Sequence, residues 1–153
     1  MARPMRLRTD TLMRRIFKAN NVEDVLKQNA PSMEDGGFCE CLNALCREKG
    51  AVPEQVIRRA QIDRSYGHQL FNGTRKPSRD KVLQLAFGLG LDVDQTQKLL
   101  RLAGKNPLYP RLRRDVVVLF ALGKSMSLFE VQELLERYEM TPLGGVRSFE
   151  QQD

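Results

Sequence analysis

The sequence predicts an all-α protein on three observations. Apolar residues recur at three- and four-residue spacings through almost the whole of its 153 residues. No alternating apolar and polar run reaches a useful strand length. Ser, Asp, Pro and Gly stand where helices would start and stop, as capping chemistry requires. A chain of this length makes one domain, or one small domain with an appendage, and can bury a core without disulfides or metals.

The elements follow in order. Residues 9–18 and 22–28 form short helices with Leu12 and Ile16, then Val22, Val25 and Leu26, at helical spacing. Residues 30–37 are a linker holding Pro31 and a glycine pair. Phe38, Cys41, Leu42 and Leu45 make the next apolar stripe, and Gly50 ends that helix. Pro53 suits a first turn, where its missing amide hydrogen costs nothing. Val56, Ile57 and Ala60 face inward behind it. Asp63 caps a helix that runs to Asn72-Gly73. Ser78 opens another, with Val82, Leu85, Ala86 and Leu89 inward and Gly90 at its end. Asp92 and Gln95 form a capping box ahead of Val93, Leu99, Leu100 and Ala103. Gly104 and Pro107 close that helix. Residues 111–122 form an apolar helix, and Ser127 with Glu130 caps the last, which carries Val131, Leu134, Leu135 and Tyr138. Thr141-Pro142 ends the ordered part. No internal repeat is visible.

Charge is organised in blocks around a net +6. Residues 1–20 carry +5, 51–77 carry +3, 78–106 carry +2 and 107–126 carry +3, against −3 over 21–50 and −4 over 127–153. A basic middle fits either a nucleic-acid footprint or a solvated basic surface. The longest apolar run is Val116–Leu122, too short to cross a membrane. The basic N-terminus has no apolar stretch behind it, so no secretory signal is expected. Three cysteines, an odd number, point away from a disulfide framework and toward a reducing cytoplasm.

The informative constellation lies in the middle. A helix over about 54–60 and a second over about 64–72 are joined only by Gln61, Ile62 and Asp63. That is helix-turn-helix geometry, in which the first helix braces the second. Val56, Ala60, Ile62 and Leu70 pack inside, and the small Ala60 allows close approach. The second helix then exposes Arg64, Ser65, His68, Gln69 and Asn72, hydrogen-bonding side chains suited to base edges and phosphates. The following Gly73-Thr74-Arg75-Lys76-Pro77-Ser78 joins a glycine turn, two cations and a helix N-terminus, a phosphate-holding arrangement.

The stretch Phe38 to Gly104 resembles the phage-repressor-type helix-turn-helix family, the Cro and lambda-repressor kind. The resemblance is carried by Ile62-Asp63-Arg64-Ser65-Tyr66, Leu70, Gly73, Arg75, Pro77 and Leu85-Ala86-Phe87-Gly88-Leu89-Gly90. It implies a five-helix core, here with additional N- and C-terminal helices. It also implies a sequence-specific, double-stranded DNA-binding transcriptional regulator of bacterial or mobile-element origin, cytoplasmic and without a cofactor. Three positions depart from the family pattern. Pro53 replaces the phosphate-holding Gln at the start of the brace helix, Gly67 replaces an apolar residue within the recognition helix, and Phe71 stands where Glu is usual. Gly67 either permits tight packing or marks a recognition helix released from groove insertion.

The expected organisation is an arm with short helices over 1–37, the DNA-binding domain over 38–104, a helical pair over 105–140 and a tail over 141–153. Arg64, Ser65, His68 and Gln69 are the expected base contacts. Asn72, Thr74, Arg75 and Lys76 are the expected phosphate contacts. The alternative is a solvated surface and loop. Arg3, Arg6 and Arg8 could enter a minor groove or simply fray. Cys39, Cys41 and Cys46 lack the paired spacing and fourth ligand of a zinc site, so no metal is expected; Cys41 is placed in the core, with Cys39 and Cys46 partly exposed. The stripe Val116–Leu122 with Leu128, Val131, Leu134 and Leu135 serves as a homodimer surface, as a cap on the core, or as both. No phosphate loop, carboxylate pair or nucleophile–His spacing suggests an enzyme. The competing function is a protein-binding module on the same scaffold: an antitoxin, an adaptor or a mobile-element inhibitor of a host nuclease. A third possibility combines the two, an autorepressing DNA binder that also engages a protein partner through 107–140.

Overall fold

The computed structural model describes residues 7–33 and 36–145, and every regular element among them is helical. The chain divides into two compact units, 1–35 and 36–153.

The first unit holds α1 (Thr9–Lys18), α2 (Val22–Asn29) and a 3₁₀ turn, Ala30–Ser32. Asn21 caps α2 by accepting from the Asp24 amide at 2.8 Å. Asn29 is buried, and its Oδ1 accepts from Arg15 Nη1. Of the basic arm, Arg3 and Arg6 lie outside the described residues, and the exposed Arg8 pairs with Asp10.

The second unit holds α3 (Phe38–Glu48), α4 (Pro53–Arg59), α5 (Arg64–Asn72), α6 (Arg79–Leu89), α7 (Val93–Leu102), α8 (Arg113–Gly123) and α9 (Leu128–Arg137). The capping residues stand where the sequence places them: Asp63, Ser78, Asp92 and Ser127 each accept from an amide three residues on. Gly50, Gly73, Gly90 and Gly104 adopt the left-handed conformation just past a helix end.

Helix α6 is the centre. Every residue from Val82 to Leu89 is buried, because α4, α7 and α9 pack around it. A helix apolar on all sides is stable only when enclosed in this way. Its one buried polar side chain, Gln84, donates from Nε2 to the Ala60 carbonyl and accepts from Lys81 Nζ. Against α4 the backbones nearly touch: a Cβ added at Gly88 would lie 2.7 Å from the Val56 carbonyl oxygen. Ala60, fully buried, lines the same contact. Helices α3, α4 and α5 close the other side of the core through Leu42, Leu45, Cys46, Val56, Ile57, Ile62, Leu70 and Phe71. Cys46, not Cys41, is therefore the core cysteine; Cys41 is half-buried. Cys46 lies one position after Leu45, on the side of α3 that the Ala51 turn covers, and its thiol donates to the Ala51 carbonyl.

Two further expectations are corrected here. The first concerns the end of the chain. Order does not stop at Thr141-Pro142. Leu143 is buried, with its amide and carbonyl both bonded to the Gln132 side chain, and the Gly144 amide donates to Asp80. The second concerns repetition. Residues 79–110 and 114–145 are two copies of one helix pair, 35 residues apart. Arg79-Asp80 matches Arg114-Asp115; Gly88 matches Gly123; Gln97, Leu99 and Leu100 match Gln132, Leu134 and Leu135; Pro107-Leu108 matches Pro142-Leu143. The bonds repeat with the same spacing. Gln97 holds both backbone groups of Leu108, as Gln132 holds those of Leu143. Left-handed Gly90 and Gly104 have left-handed Ser125 and Glu139 as counterparts.

The two copies grip each other reciprocally. Arg79 makes a two-pronged pair with Asp115 at 2.8 and 3.1 Å, and Arg114 makes its equal with Asp80 at 2.8 and 2.9 Å. Arg79 also donates to the Asn106 and Pro107 carbonyls, and Arg114 to their counterparts at Thr141 and Pro142. Residue i contacting j while j's counterpart contacts i's is the pattern of an isologous, two-fold interface, here within one chain. The copies differ in their surroundings. At Gly88 α6 is covered by α4, and Leu85 is fully buried, whereas their counterparts on α8, Gly123 and Phe120, lie exposed with Leu112 and Val116. The opposite side of the pair, Val118, Ala121, Leu122, Leu128, Val131 and Leu135, caps the core.

Candidate nucleic-acid interface

Helix α4 starts on Pro53, whose fixed φ suits a first helical position, and the Val52 amide donates to the Gln55 side chain. It ends at Ala60. Gln61 then takes the left-handed conformation, φ +54°, which reverses the chain in one residue. The Ile62 amide donates back to the Ile57 carbonyl, and its side chain enters the core. Asp63 caps α5 through the Tyr66 amide at 3.1 Å. Four residues, Ala60 to Asp63, thus separate the two helices, one more than the sequence indicates, because Ala60 is the C-cap of α4.

Gly67 explains how closely α5 lies on α4. A Cβ there would sit 2.6 Å from both Cγ1 and Cγ2 of Ile57, so a glycine is required by packing. Leu70 and Phe71 bury the same side. Phe71 is therefore an inward residue; its carbonyl accepts from Asn43 Nδ2 at 2.8 Å and from the Cys39 thiol at 3.0 Å, which occupies an otherwise open helix end.

The outward side of α5 carries the expected readers. Arg64 and Ser65 are exposed; His68 and Gln69 are half-exposed. Arg64 and His68 converge on one residue the sequence did not single out. Glu54, on the brace helix, accepts from Arg64 Nε on one oxygen and meets His68 Nε2 on the other, both at 2.5 Å. Hydrogen bonds from Arg64 and then His68 hold the Glu54 carboxyl below its ordinary range. Gln69 is joined instead to the loop, accepting from Arg75 Nε at 2.8 Å. The Arg75 guanidinium lies 4.7 Å over the Tyr66 ring, and Lys81 Nζ lies 5.8 Å from that ring. Burial lowers the Lys81 pKa from its ordinary value. Asn72 accepts from the Thr74 amide and hydroxyl, a tight local turn, while Lys76 is exposed.

The structure thus gathers the eight expected residues on α5 and the loop behind it. Glu54 and Tyr66 join them. Tyr66 lies in the stretch that carries the resemblance and Glu54 does not, but neither role could be read from the chain, because each depends on how α4 and the loop lie across α5. Among the described residues no group of three His, Cys, Asp or Glu side chains could hold a metal ion, and no helix is long and apolar enough to cross a membrane.

Residues 38–99 match a family model described as a helix-turn-helix domain. The chain carries a helix-turn-helix domain, and the match runs from the first residue of α3 into α7, enclosing the α4–turn–α5 unit. No curated protein and no solved structure matches the chain.

Proposed function

We propose that this chain is a sequence-specific, double-stranded DNA-binding transcriptional regulator of the phage-repressor type, from a bacterium or a mobile element. One observation carries the reading. A helix braced across a four-residue turn presents Arg64, Ser65, His68 and Gln69 outward, with Arg75 and Lys76 in the loop directly behind it. In this reading α5 enters the major groove. Arg64 and His68 with Ser65 and Gln69 meet base edges, while Asn72, Thr74, Arg75 and Lys76 meet phosphates. The role is one of binding, with no catalytic step and no cofactor. Two chains, joined through the exposed α8 face, present two recognition helices to a palindrome, about 34 Å apart along the DNA.

Selection from a random duplex library tests this. The expected result is one enriched motif with two-fold symmetry, bound less tightly as salt rises because Arg and Lys displace condensed counterions. Arg64→Ala then lowers discrimination at one base pair by about 1–3 kcal/mol, whereas Lys76→Ala weakens all sequences alike. No enriched motif would overturn the reading.

A second reading is favoured by one observation: Leu112, Val116 and Phe120 are each about half exposed on one face of α8. That face suits a protein partner of an antitoxin, adaptor or nuclease inhibitor. Failure to select DNA together with a stoichiometric protein complex, abolished by Phe120→Glu, would favour it.

A further inference from the structure

We infer that Glu54 is a positioning residue for base recognition: it holds Arg64 in the one orientation that presents both terminal guanidinium nitrogens to a guanine. This rests on the DNA reading above and adds to it a residue on the brace helix.

The geometry leads there in steps. Arg64 has a side chain that is 77% exposed, so nothing packs it into place. Glu54 takes Nε, the donor nearest the stem, and leaves Nη1 and Nη2 without a partner from α4. Those two nitrogens are the pair that can meet guanine O6 and N7 side by side. A single carboxylate oxygen would still allow Arg64 to swing. The second oxygen, however, is occupied by His68 Nε2, one turn further along the same helix. Glu54 is therefore fixed from two points on α5, and it fixes Arg64 in return. Hydrogen bonds from Arg64 and then His68 hold the Glu54 carboxyl further below its ordinary value.

A carboxylate at this edge also has a cost. It places a negative charge where DNA phosphates approach, and so lowers attraction to duplex of any sequence. Positioning and repulsion give Glu54 a signature with two opposite signs, which a merely structural residue would not produce.

The test uses the full chain, the duplex selected for it, and the same duplex with the Arg64-dependent base pair exchanged. For Glu54→Ala we expect discrimination between the two duplexes to fall about tenfold. Affinity for unrelated duplex should rise about two- to fivefold, with a steeper salt dependence. Glu54→Gln keeps an acceptor for Arg64 Nε without the charge; it should retain most of the discrimination and still gain affinity for unrelated duplex. Melting curves matching the wild type show that the fold is intact. Unchanged discrimination in Glu54→Ala overturns the inference while leaving the DNA reading standing, as does a Glu54→Gln variant that loses it as fully as Glu54→Ala. A wild-type chain that selects no duplex overturns both.

Discussion

At the scale of single residues, the brace and recognition helices are joined by two backbone requirements. Gly67 costs about 1 kcal/mol of helix propensity relative to alanine. The contact explains why it is there: Ile57, itself buried, brings both γ-carbons to within 2.6 Å of where a Cβ would be. A β-branched side chain has little rotamer freedom with which to retreat. Gly67→Ala is therefore expected to destabilise the domain by about 1–3 kcal/mol in urea unfolding, despite its better propensity. Ile57→Ala, which removes both γ-carbons, should cost less in that background than in the wild type. Gln61 is the opposite case. It is exposed, and it adopts φ +54° without a glycine's freedom. Gln61→Gly should stabilise the fold by about 0.5–1 kcal/mol, since the left-handed conformation costs an ordinary residue more than glycine's added chain entropy.

At the scale of elements, the first turns of α6 and α8 are the fastening of the second unit. Arg79-Asp80 and Arg114-Asp115 cross-pair, and each arginine also takes up two backbone carbonyls. Asp115 is buried and additionally accepts from the Tyr109 amide. Asp115→Ala leaves the Arg79 charge without its carboxylate and that amide without its acceptor, and should cost about 2–4 kcal/mol. Burial raises the Asp80 pKa, but bonds from Arg114 and the Gly144 amide outweigh it and hold the carboxyl below its ordinary value. The sign follows from proton binding. Between the folded and unfolded pKa values the unfolded chain binds more protons, so Asp80 contributes fully above the unfolded value near 3.9 and is lost as pH falls through the folded one. Asp80→Asn should lower the urea midpoint at pH 7 and flatten its decline below about pH 4. A decline as steep as that of the wild type would show that other carboxylates govern it.

How much of this the sequence discloses depends on the range of each interaction. Caps at Asp63, Ser78, Asp92 and Ser127 are legible because side chain and amide lie three residues apart. The short turn between α4 and α5 is legible, to within one residue, for the same reason. Glu54 is not, because its two partners stand on another helix and meet it only when the turn folds. The repeat is hidden differently. Its fixed points are a few anchors such as Arg-Asp, Gln and Pro-Leu, while the positions between them follow their surroundings: Leu85 is fully buried, and its counterpart Phe120 faces solvent. Gly90 and Gly104 announce helix ends, whereas Ser125 and Glu139 take the same backbone conformation without that signal.

At the scale of the whole molecule, the duplication separates the two expected roles of the C-terminal pair. One side of α8–α9 completes the core. The other repeats the surface by which α6 receives α4, including the glycine that permits close approach, and leaves it uncovered. Charge on this pair is divided between its halves: residues 107–126 carry +3 and 127–145 carry −3. Two chains meeting about a two-fold axis could set α8 of each beside α9 of the other, so that the basic and acidic halves oppose each other twice. Phe120 stands at the middle of the face, half exposed, and contributes little to the core. Phe120→Glu should therefore leave the melting temperature within a few degrees of the wild type at monomer concentrations. It should weaken self-association roughly 100-fold, the effect expected when a charge replaces an aromatic at the centre of an interface. Sedimentation at rising concentration reads this directly. A wild-type chain that stays monomeric at about 100 times the concentration used for DNA binding would mean that the face serves a different partner, and a palindromic site would then lose its explanation.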